Sequence, residues 1–256
     1  MEQYMGTIAS VVQGDVIVCG GGCAGVIAAI ASARNGAKTI LIEKSFTVGG
    51  TATNGLVGPF MTCFSPDGKE QIVKGIFDEM IWRMEKMGGA VHPSKTGMVS
   101  GYGCYIKLRH NNVTPFHPEA LKMVMLEMLE EEKVTLWLGT SILDVQKEGG
   151  NIKRVIGFDG HSLRAFVGNI FIDATGDAFV SEKAQVPCDL ADIQDGLQPM
   201  TLFFWIDHAD DEKIEEYLEK DETKRYLPYH DRIEAARAEG KFPINRNKIG
   251  RYHMVN

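Results

Sequence analysis

The sequence is short of several things, and each shortage removes a class of function. Positive charge is in deficit: 27 lysines and arginines face 34 aspartates and glutamates, a formal net charge of −7. Nucleic-acid binding needs a basic patch or stripe, so this balance gives it no support; an acidic surplus of this size serves solubility. No apolar run is long enough to cross a bilayer. The opening stretch MEQYMGTIASVVQGD has neither a basic leader nor a continuous apolar core and does not read as a signal peptide. The five cysteines (Cys19, Cys23, Cys63, Cys104, Cys188) form no CxxC pair and no zinc-like spacing. An odd number of thiols without a secretion signal suits a reduced, cytoplasmic protein. No His/Cys/Asp cluster has metal-ligand spacing, and there is no internal repeat or low-complexity tract.

What is present is an ordinary globular composition over 256 residues, 44% hydrophobic and 24% charged, enough chain to bury a sizeable core. The twelve methionines read as core filling. DVIVCG (residues 15–20) is a short apolar run ending in glycine, which predicts a strand buried on both faces. AGVIAAIASARNG (24–36) is alanine-rich and closes on Asn-Gly, a helix with its stop. KTILIEK (38–44) predicts a second buried strand. Together they form a βαβ unit with parallel neighbouring strands.

Further on, Val73, Ile76, Phe77, Met80, Ile81 and Met84 recur at three and four and predict an amphipathic helix ended by Gly88 and Gly89. Residues 90–115 have no period and read as an irregular excursion. Leu121, Val124, Met125, Met128 and Leu129 mark another helix with Pro118 at its first position. VTLWLGTSILDVQKE predicts two strands in succession. The stretch 150–177 predicts a β-meander leading into a buried strand at Ile170–Ile172, and MTLFFWIDH (200–208) one more strand.

The glycines after the first strand satisfy G-x-G-x-x-G as Gly20, Gly22 and Gly25. The first permits a tight turn, the second lets backbone approach a diphosphate, and the third allows close helix–strand packing. The helix starting near Ala24 would present its N–H groups and positive dipole end to the phosphates, with Cys23 and Ala24 among the cofactor-binding residues. Alone the motif is weak, but here it lies between a predicted strand and a predicted helix. Glu43 ends the second strand at the spacing expected of a carboxylate on ribose hydroxyls, and its charge opposes a 2′-phosphate. A second glycine pair, Gly49 and Gly50, with Thr51, Ala52 and Thr53, lets backbone pass close to a ligand again. A nicotinamide site has no general need of that loop, whereas an extended FAD does.

DVIVCGGGCAGVIAAIASARNGAKTILIEKSFTVGGTATNGLVGPF resembles the FAD-dependent oxidoreductase family of the two-dinucleotide-binding-domain flavoprotein type, related to the fumarate reductase and succinate dehydrogenase flavoproteins. The resemblance continues through QIVKGIFDEMIWRMEKMGGA, the region around PEALKM and GTSILDV, and FIDATGDAFVSEKA, to about residue 205. It implies that Gly20, Gly22 and Gly25 hold the FAD pyrophosphate and Glu43 the adenosine ribose, with Lys44 beside it. Gly49, Gly50, Thr51, Thr53 and Asn54 would line the ribityl and isoalloxazine path. Ser141 and Ile142 match a strand whose backbone meets adenine, and Ala174, Thr175, Gly176 and Asp177 match a turn re-entering the cofactor domain. Members of this family continue beyond the length of this chain with a late glycine-rich segment that closes the flavin site. The expectation is therefore a truncated chain, or a second polypeptide that supplies the closure. His117 stands where an aspartate cap is usual, and Phe179 where a polar residue is common.

The sequence holds no catalytic triad, and a flavoenzyme needs none, since the cofactor carries the chemistry. Three residues are candidates. Cys63 is either a redox thiol near the flavin or, the favoured reading, a buried packing residue. Arg109 and His110, in GYGCYIKLRHNNVTPFH, would meet a carboxylate substrate or donate a proton if that excursion covers the flavin; a solvated basic loop is the plainer reading.

The expected fold is α/β, a Rossmann-like FAD-binding domain with a parallel sheet and an inserted mixed α+β region. Residues 1–54 form its first part. Residues 55–168 form the insert, including the adenine-side strand near 134–145. The chain returns to the cofactor domain over 169–190, and 191–256 begin a substrate or cap domain. The expected function is transfer of hydride or electrons between flavin and a small organic substrate, with a second polypeptide or a homo-oligomer as partner. Two alternatives stand beside it: a non-catalytic or split-gene FAD-binding subunit, and an NAD-binding oxidoreductase.

Overall fold

A computed structural model describes residues 6–65, 67–96, 112–188, 208, 210, 212–213 and 230–241. In chain order the described elements are β1 (Ile8–Gln13), β2 (Val16–Cys19), α1 (Cys23–Arg34), β3 (Thr39–Ile42), α2 (Ile76–Lys86), α3 (Pro93–Thr96), α4 (Pro118–Glu131), β4 (Thr135–Trp137), β5 (Ser141–Glu148), β6 (Asn151–Phe158), β7 (Leu163–Val167), β8 (Ile170–Asp173), α5 (Phe179–Lys183) and α6 (His230–Ala238). The chain divides into two units. One takes in Met1–Gly58, Gly75–Ala90 and Phe116–Thr201, the other Pro59–Lys74, Val91–Pro115 and Leu202–Asn256.

The first unit contains two four-stranded sheets. One is wholly parallel, in the order β4-β3-β2-β8. Strands β2 and β3 are buried along their whole length, as continuous apolar runs require. Helix α1 carries the crossover between them and buries Gly25, Val26, Ala29 and Ile30. It ends at Asn35, and Gly36 turns the chain away at φ +86°. Strand β8 lies at the sheet edge, so Ile170 is exposed and only the inner strands are sealed, which corrects the expectation of a buried strand there.

The second sheet is mixed, in the order β1-β7-β6-β5. The meander β5-β6-β7 is antiparallel, and β1 pairs parallel with β7. Sequence reading assigned no strand to β1, although Ile8, Ser10 and Val12 lie on its inner side by simple alternation. The two sheets share one core. Ile17, Cys19, Ile40 and Ile42 of the parallel sheet meet Val145, Val155 and Phe166 of the mixed one, closed by Val180 and Ala184. The Trp137 and Phe166 rings meet edge to face with centroids 5.3 Å apart. Phe166 is fully buried, a position where truncation to alanine costs about 3–5 kcal/mol.

Helices α2 and α4 lie beside α1. Helix α2 buries Met80, Ile81 and Met84 but begins only at Ile76. The sequence period extended it back to Val73, which is exposed; Gly75, at φ +74°, breaks the pattern and sets the start. Helix α4 has Pro118 at its first position, and the His117 side chain accepts a hydrogen bond from the Glu119 N–H at 3.2 Å. His117 is therefore a working N-cap.

In the second unit, Phe60 and Thr114 form an antiparallel bridge through backbone bonds of 3.0 and 2.8 Å. It also contains an antiparallel bridge between Phe64 and Gln71, the short α3 and the helix α6. The strand expected over residues 200–208 lies outside the described residues apart from His208.

Candidate functional site

In parallel α/β sheets, ligands bind beyond the carboxyl ends of the strands. At that end of β2 and β3 the chain leaves through loops that touch one another. Gly20 donates its N–H to the Ile42 carbonyl at 2.8 Å and turns at φ +102°. A methyl group on Gly20 would overlap the Ala174 carbonyl, and one on Gly25 would overlap the Gly20 carbonyl. Both glycines are thus required by the protein's own packing.

Gly22 is different. Its φ of −67° suits any residue, and no described atom lies within 4 Å of where a Cβ would stand. Nothing in the described protein demands glycine there. Gly22 is also the N-cap residue of α1, so it offers no side chain to the helix's first N–H groups, and the first turn carries no acidic residue. Those groups remain available to an anion.

Glu43, at the end of β3, is buried and has both carboxylate oxygens engaged. Oε2 accepts from the Gly21 N–H at 2.6 Å and Oε1 from the Ser45 N–H at 2.7 Å. Its backbone N–H donates to the Trp137 carbonyl at 2.8 Å, and its carbonyl accepts from the Thr140 N–H at 2.9 Å. The glycine turn, the end of β3 and the segment before β5 are thereby joined through one residue. Each carboxylate oxygen still has lone-pair capacity for a ligand hydroxyl.

The second glycine loop lies directly on the first. Gly49 donates to the Gly21 carbonyl at 2.8 Å and pairs with Gly22 in a parallel bridge. Gly49 and Gly50 have φ of +96° and +53°, and a Cβ on Gly50 would stand 3.0 Å from the Gly22 Cα. The buried Thr53 hydroxyl donates to the Val48 carbonyl at 2.7 Å, and the Cys23 thiol donates to the Gly49 carbonyl at 3.6 Å. Ala24, Lys44, Thr51 and Asn54 are exposed around this junction.

The turn after β8 is organised by a residue that sequence reading passed over. Asp173 Oδ1 accepts from the Thr175 N–H and hydroxyl at 3.1 and 2.7 Å, and Oδ2 from the Ser181 N–H and hydroxyl, both at 2.8 Å. Burial raises the Asp173 pKa, but these bonds outweigh it and hold the carboxyl below its ordinary range. The acid two residues before Thr175 was the available signal. Gly176 and Asp177 are exposed beyond it, and Ala178 sits at φ +53°.

The sequence candidates divide accordingly. Gly20, Gly22, Cys23, Gly25, Glu43, Gly49, Gly50 and Thr53 meet around one junction. Ala174 touches it through Gly20. Ser141 opens β5 just after the Thr140 contact, with Ile142 half-buried against the core. Cys63 belongs to the other unit, where it is buried and its carbonyl accepts from Ile72 and Val73. Arg109 and His110 lie outside the described residues. Burial pushes the Cys19 thiol up to about 12, helped by the Asp173 charge, and pushes Cys23 up to about 11 against a smaller opposing backbone hydrogen bond.

A family model for FAD dependent oxidoreductases matches residues 15–256. The chain belongs to the FAD-dependent oxidoreductase family. FAD is therefore its cofactor, and its Rossmann-like α/β fold is that of a flavoprotein. No curated protein matches the chain. Among solved structures, this chain is similar to a geranylgeranyl bacteriochlorophyll reductase-like protein from Thermoplasma acidophilum (15% identity, TM-score 0.43, covering 69% of this chain and 43% of that one). It is similar to L-proline dehydrogenase from P. horikoshii (14%, 0.47, 70% and 57%) and to the FrdA chain of E. coli quinol fumarate reductase (15%, 0.46, 65% and 33%). The matched region thus spans less than two thirds of each of these proteins.

Proposed function

We propose that this chain binds FAD across the Gly20–Gly25 turn and serves in transfer of hydride or electrons between the flavin and a small organic substrate. The observation that carries the reading is the open space at Gly22. A residue with permissive backbone angles is glycine, no described atom occupies the room its Cβ would take, and uncapped helix N–H groups adjoin it. A diphosphate needs both features. Glu43 supports the same reading, since its remaining lone pairs suit ribose hydroxyls and its charge opposes a 2′-phosphate.

On this reading Gly22, Cys23 and Ala24 receive the diphosphate, and Gly49, Gly50, Thr51, Thr53 and Asn54 line the path toward the flavin ring. The Gly21–Glu43 bond holds the turn in shape, and the turn after β8, with Ala174, Thr175, Gly176 and Asp177, borders it. Bound flavin supplies the hydride and electron chemistry. The protein's part is to grip the nucleotide half, orient it and keep thiols such as Cys19 and Cys23 protonated beside it. Cytoplasmic residence belongs to the same proposal. Cys19, Cys23 and Cys188 are free thiols, and among the described residues no helix is long and apolar enough to cross a membrane.

The test is a visible absorption spectrum of the purified chain before and after incubation with FAD and desalting. Retained flavin bands are expected. A colourless protein after loading would remove the reading.

A further inference from the structure

A dinucleotide is linear: base, ribose, diphosphate. With the diphosphate at Gly22 and the ribose at Glu43, the base must lie beyond Glu43, on the side away from the glycine turn. The residues there are Lys44, Ser45, Phe46 and the facing segment at Gly139 and Thr140. That segment is fixed to them by backbone bonds from the Gly139 N–H to the Ser45 carbonyl and from the Thr140 N–H to the Glu43 carbonyl, both 2.9 Å.

Phe46 is conspicuous in this group. It is 87% exposed, while the next most exposed large hydrophobic among the described residues, Val11, is 60% exposed. Its ring is nevertheless not adrift. Gly139 stands at φ +62°, and a Cβ there would come within 2.6 Å of the Phe46 Cε1. The ring therefore rests against the Gly139 backbone, on the side from which a Cβ would displace it. Gly139 is itself held by Ser45, whose N–H is bonded to the Glu43 carboxylate at 2.7 Å. A large ring in water, supported from one side and linked through two hydrogen bonds to the ribose acid, is a prepared π surface.

We propose that Phe46 is the stacking platform for the adenine ring of the bound dinucleotide, a specificity-determining residue for the nucleotide half of the cofactor. This rests on the reading of the glycine turn as the diphosphate site. Adenine stacks on aromatic faces with an energy that alanine substitution exposes as a drop in affinity. Phe46 adds that stacking to a site whose other contacts are polar, and it favours FAD over FMN, which has no adenine.

The test measures Kd for ADP and for FAD by calorimetry on the full chain, wild type and variants. ADP carries the adenine, ribose and diphosphate without the flavin. Phe46→Ala is expected to weaken ADP and FAD by the same factor, about tenfold. Phe46→Tyr, which keeps the ring face, is expected to bind as wild type does. The apo Phe46→Ala protein should melt within about 1 °C of wild type, because the ring is exposed. An unchanged ADP affinity in Phe46→Ala overturns the proposal and leaves the FAD reading standing. So does a loss confined to FAD, or a Phe46→Tyr variant as weak as Phe46→Ala. A wild-type chain that binds neither ADP nor FAD overturns the reading of the glycine turn, and the proposal with it.

Discussion

Gly25, in the first turn of α1, sits so near the Gly20 carbonyl that any side chain would run into it. The contact sets how closely the helix approaches the strand exit. Gly25→Ala is therefore expected to push α1 away from β2 and cost about 3 kcal/mol of stability. Urea unfolding of the purified variant measures this, and an unchanged midpoint would refute it.

Gly22→Ala separates binding from folding. Its backbone angles suit alanine and its Cβ meets no described atom, so the midpoint should stay within about 0.5 kcal/mol of wild type. On the proposed reading FAD retention after desalting should be lost, because the methyl group takes the room a diphosphate would fill. Equal retention in the two proteins would place the cofactor elsewhere.

Asp173→Asn is expected to destabilise the chain by about 2 kcal/mol, since an amide group faces donors on one side where the carboxylate accepts on both. The folded carboxyl titrates below its ordinary value. Its contribution is thus full above about pH 4, the unfolded value, and fades as pH falls toward the folded one. Unfolding free energy followed downward from pH 5 should fall more steeply in wild type than in the variant.

Arg34, in the last turn of α1, donates to Glu79 on α2 at 2.6 and 3.0 Å and to Glu132 just past α4 at 2.8 Å. Arg83 extends the network by bonding Glu79 and Glu131. The side chains are partly exposed, so the network is screened by salt. Arg34→Ala should cost roughly 1 kcal/mol at low ionic strength and less in molar salt. A loss that does not change with salt would point to packing of the arginine stem instead.

Native alkylation with iodoacetamide, mapped by peptide mass spectrometry, tests the thiols. Cys188 is exposed, whereas Cys19 is buried with its pKa pushed up to about 12 and Cys23 up to about 11. At pH 8, Cys188 should react well before either. Early labelling of Cys23 would contradict its half-buried placement against the Gly49 carbonyl.

The parts of the fold that announce themselves in the sequence are those with local causes. Val16–Cys19 and Thr39–Ile42 are apolar without interruption, and α1 lies between a glycine turn and Asn35-Gly36, so the βαβ unit could be read directly. The α2 start was displaced because Val73 fits the helical period, while the backbone of Gly75 does not. Strand β1 was missed because its partner β7 lies about 150 residues away, and six residues of modest alternation carry little signal alone. At the site, Gly20, Gly22, Gly25 and Glu43 were legible as a motif. That Gly20 and Gly25 answer to packing, and Gly22 does not, needed coordinates, as did the role of Asp173.

The pairing of β2 with β8 has a consequence in time. Val16 meets Ile170 and Cys19 meets Asp173, so the strand that opens the glycine turn is flanked on one side by residues made about 150 positions later. During synthesis that partner emerges on the order of ten to thirty seconds after β2. Until then the Ala174 carbonyl that confines Gly20 is absent, and the turn is held only by its bonds to Ile42, Glu43 and Gly49. On the proposed reading of the glycine turn, cofactor capture in refolding should follow the slow closure of a long-range parallel pair rather than the fast formation of α1.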